Sequence, residues 1–377
     1  MKHKILFMMP AMLNGGAEKV LIDILKHFDY TKYNVSLLLE CKDGPYISDI
    51  PDKVELIYLH KKNLWIERLY RYMIMFHCKW LVYQILCRVP LLWSLKGRRF
   101  DTIVSFMEGM AVKMHSYIYN KANKNISWVH IDLKKKHWSL DFFCNEQEES
   151  NCYQKMDKIV FVSQDARDRF REIFTIDDNK LAVIYNLIDC DEIRKLADSK
   201  IVKKNKFTIC MVGRLNQQKR YDRALEVARE LKEAGYNLEF WILGDGEQMT
   251  KLRDKVKEYA LEDYFLLKGF IKPPYPYMKQ SDILLISSES EGFSLVACEA
   301  FCLGVPVVST KTSGPTELIN KSEAGLLVDE KIDDIYKGLK YMIDNKVLRE
   351  ECSINALAFM NSFNVQSKMR EIYHLIN

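Results

Sequence analysis

No C-x-x-C pair occurs among the ten cysteines, at positions 41, 78, 87, 144, 152, 190, 210, 298, 302 and 352, and no signal peptide is expected ahead of them. The expectation is a cytosolic protein whose thiols are reduced and mostly buried. Cys298 and Cys302 stand one helical turn apart, but without a second Cys/His pair nearby they read as core residues rather than metal ligands. The dinucleotide fingerprint G-x-G-x-x-G is absent from the first strand–turn–helix. Between Lys61 and Arg99, Arg71, Lys79 and Arg88 interrupt every apolar run before it reaches the roughly 20 residues a spanning helix needs. A general excess of positive charge is missing too. Nine Lys/Arg face one acid in that segment, a local +8, so a chain with net charge +5 carries −3 elsewhere. The basic character is regional, and no nucleic-acid partner is expected.

What is present is 377 residues with 48% hydrophobic content, more than one core usually organises, so two domains are expected. Strand-like runs at Lys4–Met9, Tyr33–Glu40, Val54–Leu59, Thr102–Phe106, Ile126–Val129, Lys158–Ser163 and Leu181–Asn186 alternate with helical patterns. Alternation of this kind predicts a parallel sheet with helices on both faces. A second alternation starts at Phe207–Val212 and continues through Leu238–Leu243, Tyr264–Leu267, Asp282–Ile286, Val305–Ser309 and Gly325–Val328. The expected fold is α/β, with an N-terminal Rossmann-like domain over 1–186, a C-terminal one over 187–360, and a last helix over 361–377 returning to the first.

The stretch Ser288–Glu299 carries the most chemistry. With a strand ending near Ser287 and a helix starting near Ser294, Glu291 stands in the loop and Glu299 about one turn into the helix. Between them the backbone N–H groups of Gly292, Phe293, Ser294, Leu295 and Val296 form a helix N-terminus, which binds anions such as a diphosphate. The plain alternative makes Glu291 a solvated loop residue and Glu299 a surface charge. Arg214 and Lys219 follow the first strand of the same domain and can reach a diphosphate from the same edge. In the first domain Gly15-Gly16 forms a turn between strand and helix, where a backbone can approach a phosphate, although such a turn is more often only a tight connection. His130 and Asp132 end a strand at a C-terminal edge, where ligands bind in open α/β sheets. Asp189-Cys190-Asp191 has the D-x-D spacing of metal-dependent sugar transferases, but it falls at a helix start, where an aspartate caps.

Lys61–Arg99 holds three of the six tryptophans, Trp65, Trp80 and Trp93. At helical pitch Arg68, Arg71 and Lys79 share one face, a composition suited to lying in an anionic membrane interface. The alternative is that its apolar residues pack on the first domain and its bases are solvated.

Taken together, Gly15-Gly16-Ala17-Glu18, Gly213-Arg214 with Lys219, Gly244-Asp245-Gly246, Glu291-Gly292-Phe293-Ser294 with Glu299, Gly304-Val305-Pro306-Val307-Val308 and Gly325-Leu326-Leu327-Val328 resemble the retaining glycosyltransferases of family four, of GT-B fold. The resemblance spans nearly the whole chain and is weakest from about 40 to 125. It implies a nucleotide-diphosphate sugar donor held by the second domain, an acceptor held by the first, and chemistry in the cleft between them. Carried over, Glu291 would bind donor-sugar hydroxyls and Glu299 the ribose hydroxyls. Backbone N–H groups at Gly292, Phe293, Ser294 and Leu295 would meet sugar and phosphate oxygens. Arg214 and Lys219 would neutralise the leaving diphosphate without a metal. His130 would sit near the donor sugar, Gly15 and Gly16 near the phosphates, and the base near Phe270. No cofactor or metal is expected, and a uridine diphosphate sugar is the default donor. A polyprenyl-linked glycan of bacterial surface polysaccharide synthesis is the expected acceptor, on the inner face of the cytoplasmic membrane. The alternatives are a GT-B epimerase or phosphorylase, which would need a constellation such as a Schiff-base lysine that is not found, and a catalytically silent scaffold, which would bind no donor.

Overall fold

The structure is a computed structural model that describes residues 1–13, 15–60 and 87–377. The bases Arg68, Arg71 and Lys79, with Trp65 and Trp80, lie outside the described residues. The chain divides into two compact units, Met1–Leu187 with Gln366–Asn377, and Ile188–Val365. The breaks fall a residue or a few away from the 186/187 and 360/361 boundaries expected from the sequence.

Unit 1 is built on seven strands: β1 (His3–Met9), β2 (Tyr33–Cys41), β3 (Glu55–His60), β4 (Phe100–Ser105), β5 (Ala122–Val129), β6 (Lys158–Phe161) and β7 (Leu181–Val183). They run parallel in the order β3-β2-β1-β4-β5-β6-β7. β1 is central and fully buried from Ile5 to Met9, which is why it reads as an unbroken apolar run rather than an alternating one. Among the described residues before Leu187 its helices are α1 (Gly16–Lys26), α2 (Val89–Ser94), α3 (Met110–Ile118), α4 (Glu146–Gln154) and α5 (Gln164–Ile173).

Unit 2 holds α6 (Cys190–Ala197), β8 (Phe207–Val212), α7 (Tyr221–Glu233), β9 (Leu238–Leu243), α8 (Met249–Glu258), β10 (Phe265–Gly269), α9 (Tyr275–Gln280), β11 (Ile283–Ile286) and α10 (Leu295–Cys302). It continues with β12 (Val307–Thr310), α11 (Ser313–Ser322), β13 (Gly325–Val328), α12 (Ile332–Asp344) and α13 (Lys346–Met360). Its six parallel strands lie in the order β10-β9-β8-β11-β12-β13. Strand order reverses between β8 and β11, the switch point at which ligands bind in sheets of this type. The last helix, α14 (Val365–Ile376), belongs to unit 1 from Gln366 onward. There the Tyr373 ring stacks on Tyr33 at 5.0 Å, and Thr102 donates to the Ile376 carbonyl at 2.8 Å.

One expectation is corrected. Cys190 and Cys302 form a disulfide, so the thiols are not all free. The two lie 112 positions apart on α6 and α10, whose packing brings their Cα atoms to 5.3 Å, a proximity no local spacing could reveal. Asp189 caps α6 by accepting from the Glu192 N–H, the role that set its D-x-D spacing aside.

Candidate functional site

Two loops meet at the switch point of unit 2. The loop after β8 carries Arg214 and Lys219; the loop after β11 carries Ser287 to Ser294. Hydrogen bonds lace them together. Ser287 Oγ donates to the carbonyls of Lys219 at 2.9 Å and Arg220 at 3.0 Å, the Glu289 N–H donates to Gln218 O at 2.8 Å, and Gln218 Nε2 donates to Ser290 O at 2.8 Å. Thr310, at the end of β12, fixes the far side by donating to the Ser288 carbonyl at 2.6 Å.

This lacing places Glu291. Its Oε1 accepts from Lys219 Nζ at 2.5 Å and from Ser288 Oγ at 2.6 Å. The Glu291 side chain is only 9% exposed, so the plain alternative of a solvated loop residue is excluded. A pair this shielded interacts more strongly than one on the open surface, because water screens it less. Glu299, in the second turn of α10, is likewise buried and accepts from the Tyr275 hydroxyl at 3.2 Å. Ser294 stands at the N-cap of α10 with φ 64, a left-handed conformation that turns the chain sharply from loop to helix. Gly292, Phe293 and Ser294 are buried, and Leu295 is half-buried at the first position of the helix.

Arg214 is exposed, just past Gly213. Gly244, after β9, has φ 156, and a Cβ there would run into the Gly213 carbonyl, so the ends of β8 and β9 come together only because Gly244 lacks a side chain. Phe270, past the end of β10, is 53% exposed.

In unit 1, Gly15 is the N-cap of α1 and Gly16 its first residue. The Glu18 carboxylate folds back over Gly15. His130 follows β5, and its N–H donates to Glu108 Oε2 at 3.0 Å. Its ring packs 4.9 Å from Phe106, and its Nε2, closed off from solvent, has no hydrogen-bond partner. Desolvation pushes the imidazole pKa down to about 3, so the ring is neutral at physiological pH. Glu108 is 2% exposed, and burial, with the Glu149 carboxylate adding to it, pushes its carboxyl up to about 7 against the bonds it accepts. Asp132 is buried and paired with Arg169 at 3.0 Å. Among the described residues no group of three or more His, Cys, Asp or Glu is placed to hold a metal ion.

The sequence missed Ser288, Gln218 and Tyr275 in unit 2 and Glu108 in unit 1. Ser288 lay inside the stretch singled out, but nothing in its spacing shows that the loop turns its hydroxyl onto Glu291. Tyr275 precedes Glu299 by 24 residues and has no motif to mark it.

Two family models match the chain, one described as Glycosyltransferase Family 4 over residues 14–192 and one as Glycosyl transferases group 1 over residues 192–359. On these two matches the chain belongs to the glycosyltransferases of the family-four type, and its two Rossmann-like units are those of the GT-B fold. Among individual relatives, a Campylobacter jejuni N-acetylgalactosamine-N,N'-diacetylbacillosaminyl-diphospho-undecaprenol 4-alpha-N-acetylgalactosaminyltransferase is 34% identical over 200 residues, 52% of this chain and 54% of that one. The chain thus spans about half the length of this curated relative. An uncharacterized glycosyltransferase of Haemophilus influenzae is 23% identical over 95% of both chains. The crystal structure of Anabaena Alr3699/HepE in complex with UDP and glucose shares the fold at TM-score 0.78, with 20% identity over 99% of this chain and 98% of that one.

Proposed function

We propose that the protein transfers a hexose or N-acetylhexosamine from a nucleotide-diphosphate sugar, by default a uridine diphosphate sugar, to a lipid-linked glycan with retention of configuration. The observation that carries this reading is the half-buried Lys219 paired with the buried Glu291 and Ser288 beside the start of α10. It combines a cation for a diphosphate, a carboxylate for sugar hydroxyls and a helix N-terminus for phosphate oxygens. With no ligand present Lys219 neutralises Glu291. A diphosphate drawing Lys219 toward itself leaves Glu291 Oε1 to accept a sugar hydroxyl, so the two charges separate only when both halves of the donor are there to receive them. Glu299, oriented by Tyr275, takes the ribose hydroxyls, and Phe270 lies by the base.

Bond cleavage at the anomeric carbon leaves the pair of electrons on the departing diphosphate. Arg214, Lys219 and the α10 N–H groups stabilise that charge, so no metal is required. The acceptor hydroxyl attacks from the same face, handing its proton to the leaving phosphate. Glu291 and Glu299 position substrate and transfer no proton. Turnover undiminished in EDTA is the expected result.

The C. jejuni relative, named for a diphospho-undecaprenol glycan acceptor, supports a polyprenyl-diphosphate-linked acceptor in bacterial surface glycan synthesis. A peripheral position at the inner membrane face accords with α2. Its Trp93 is 78% and its Val89 61% exposed, in a run that also carries Arg88, Lys96, Arg98 and Arg99. No helix among the described residues is long and apolar enough to cross a membrane. A screen of nucleotide-sugars by thermal shift, followed by product mass, tests the reading. Stabilisation by none of them would remove it.

A further inference from the structure

Two hydroxyls of unit 2, Ser294 Oγ and Thr312 Oγ1, are sealed from solvent with no hydrogen-bond partner. Their residues are 6% and 4% exposed. Each stands at the N-cap of a helix, Ser294 of α10 and Thr312 of α11, and neither caps it. Elsewhere Asn145, Ser163, Asp189 and Asn345 each accept an N–H of the helix they begin. A buried hydroxyl left unpaired is unfavourable and calls for an explanation.

The two helix starts are held together. A Cβ at Gly314, in the first turn of α11, would run into the Phe293 backbone, so α11 is pressed directly onto the loop that carries Ser294. The strand order then gives the ligand a direction. Arg214 and Lys219 follow β8, Glu291 follows the next strand, β11, and Thr312 follows the one after, β12. A donor with its diphosphate at the β8 side extends its sugar toward β12.

We infer that Thr312, with Ser294, hydrogen-bonds the donor's sugar ring on the β12 side and so selects which hexose or N-acetylhexosamine is accepted. A hydroxyl can donate and accept, which suits a sugar hydroxyl or an acetamido group. This inference rests on the reading of unit 2 as the donor site.

The test is calorimetric titration of wild type, Thr312→Val and Thr312→Ser with UDP-N-acetylglucosamine, UDP-glucose, GDP-mannose, UDP and GDP. Thr312→Val keeps the shape and removes the hydroxyl. The expected result is a loss of about tenfold or more in affinity for the sugar nucleotide that wild type binds best, with little change for the matching diphosphate alone. Thr312→Ser restores binding, and the melting temperature of Thr312→Val without ligand is not lowered. Equal losses with sugar nucleotide and diphosphate overturn the inference, as does unchanged affinity for both or a lowered melting temperature with unchanged affinity. Glu291→Gln separates the two levels. If it weakens the sugar nucleotide while Thr312→Val does not, the inference falls and the donor site stands; if wild type binds none of the five, both fall.

Discussion

Glu291 Oε1 accepts from two donors at once, Lys219 and Ser288, and this sharing decides what single substitutions should do. Glu291→Ala removes the sugar contact and leaves Lys219 unpaired, so kcat/KM should fall about a hundredfold or more, equivalent to about 2.7 kcal/mol. Ser288→Ala removes one donor to a carboxylate that keeps its ion pair, and the loss should be nearer tenfold. Tyr275→Phe should weaken binding of the nucleoside diphosphate by about tenfold and narrow its preference for ribose over 2′-deoxyribose, since the hydroxyl acts through Glu299. Titration with UDP and 2′-deoxy-UDP reads this directly; an unchanged preference contradicts it. The glutamate pair was legible in the sequence because seven intervening residues with a glycine turn place one carboxylate before a helix and one within it. The Lys219 contact was not, since its 72-residue separation from Glu291 is closed only by the parallel pairing of β8 and β11.

At the level of elements, α14 is fastened to unit 1 by aromatic packing. Tyr373 stacks on Tyr33 and meets Phe28 edge-on at 5.4 Å, and its hydroxyl accepts from the Asp29 N–H at 2.8 Å. Tyr373 is half-buried, so Tyr373→Ala should destabilise unit 1 by about 2 kcal/mol in denaturant titration. Strands were read well from the sequence because buried parallel strands are short apolar runs bounded by turn residues, and β8 and β9 fall where expected. β5 begins at Ala122, four residues before the apolar run that marks it, because Ala122 and the polar Lys124 and Asn125 also pair with β4. The contact of α6 with α10 was invisible for the reason that hid the Lys219 pair, namely that it is tertiary. Thiol titration of unreduced, denatured protein should count about eight groups and reduced protein ten, since the Cys190–Cys302 bond withholds two. Ten in both states would contradict the bond.

For the whole molecule, buried ionisable groups in unit 1 set opposing pH trends. Glu108, raised from the ordinary 4.5 to about 7, contributes stability that is present below about 4.5 and is lost as pH rises through 7. His130 and His115, lowered from 6.5 to about 3 and about 4, contribute stability present above 6.5 and lost as pH falls through those values. Glu108→Gln should therefore gain stability relative to wild type between pH 5 and pH 8, by at most about 3 kcal/mol, as followed by melting temperature. On anionic vesicles at low salt the wild type should sediment, and changing Arg68, Arg71 and Lys79 to Glu should release it; a wild type that stays in the supernatant removes the membrane assignment. Transfer itself is the most direct test. Nucleotide-sugars are incubated with a polyprenyl-diphosphate-linked glycan, and products are weighed by mass spectrometry for wild type, Glu291→Ala and Lys219→Ala. A donor site built on the Lys219–Glu291 pair predicts one added hexose or N-acetylhexosamine with wild type and loss of most turnover in both folded variants; near-normal rates in either would contradict it.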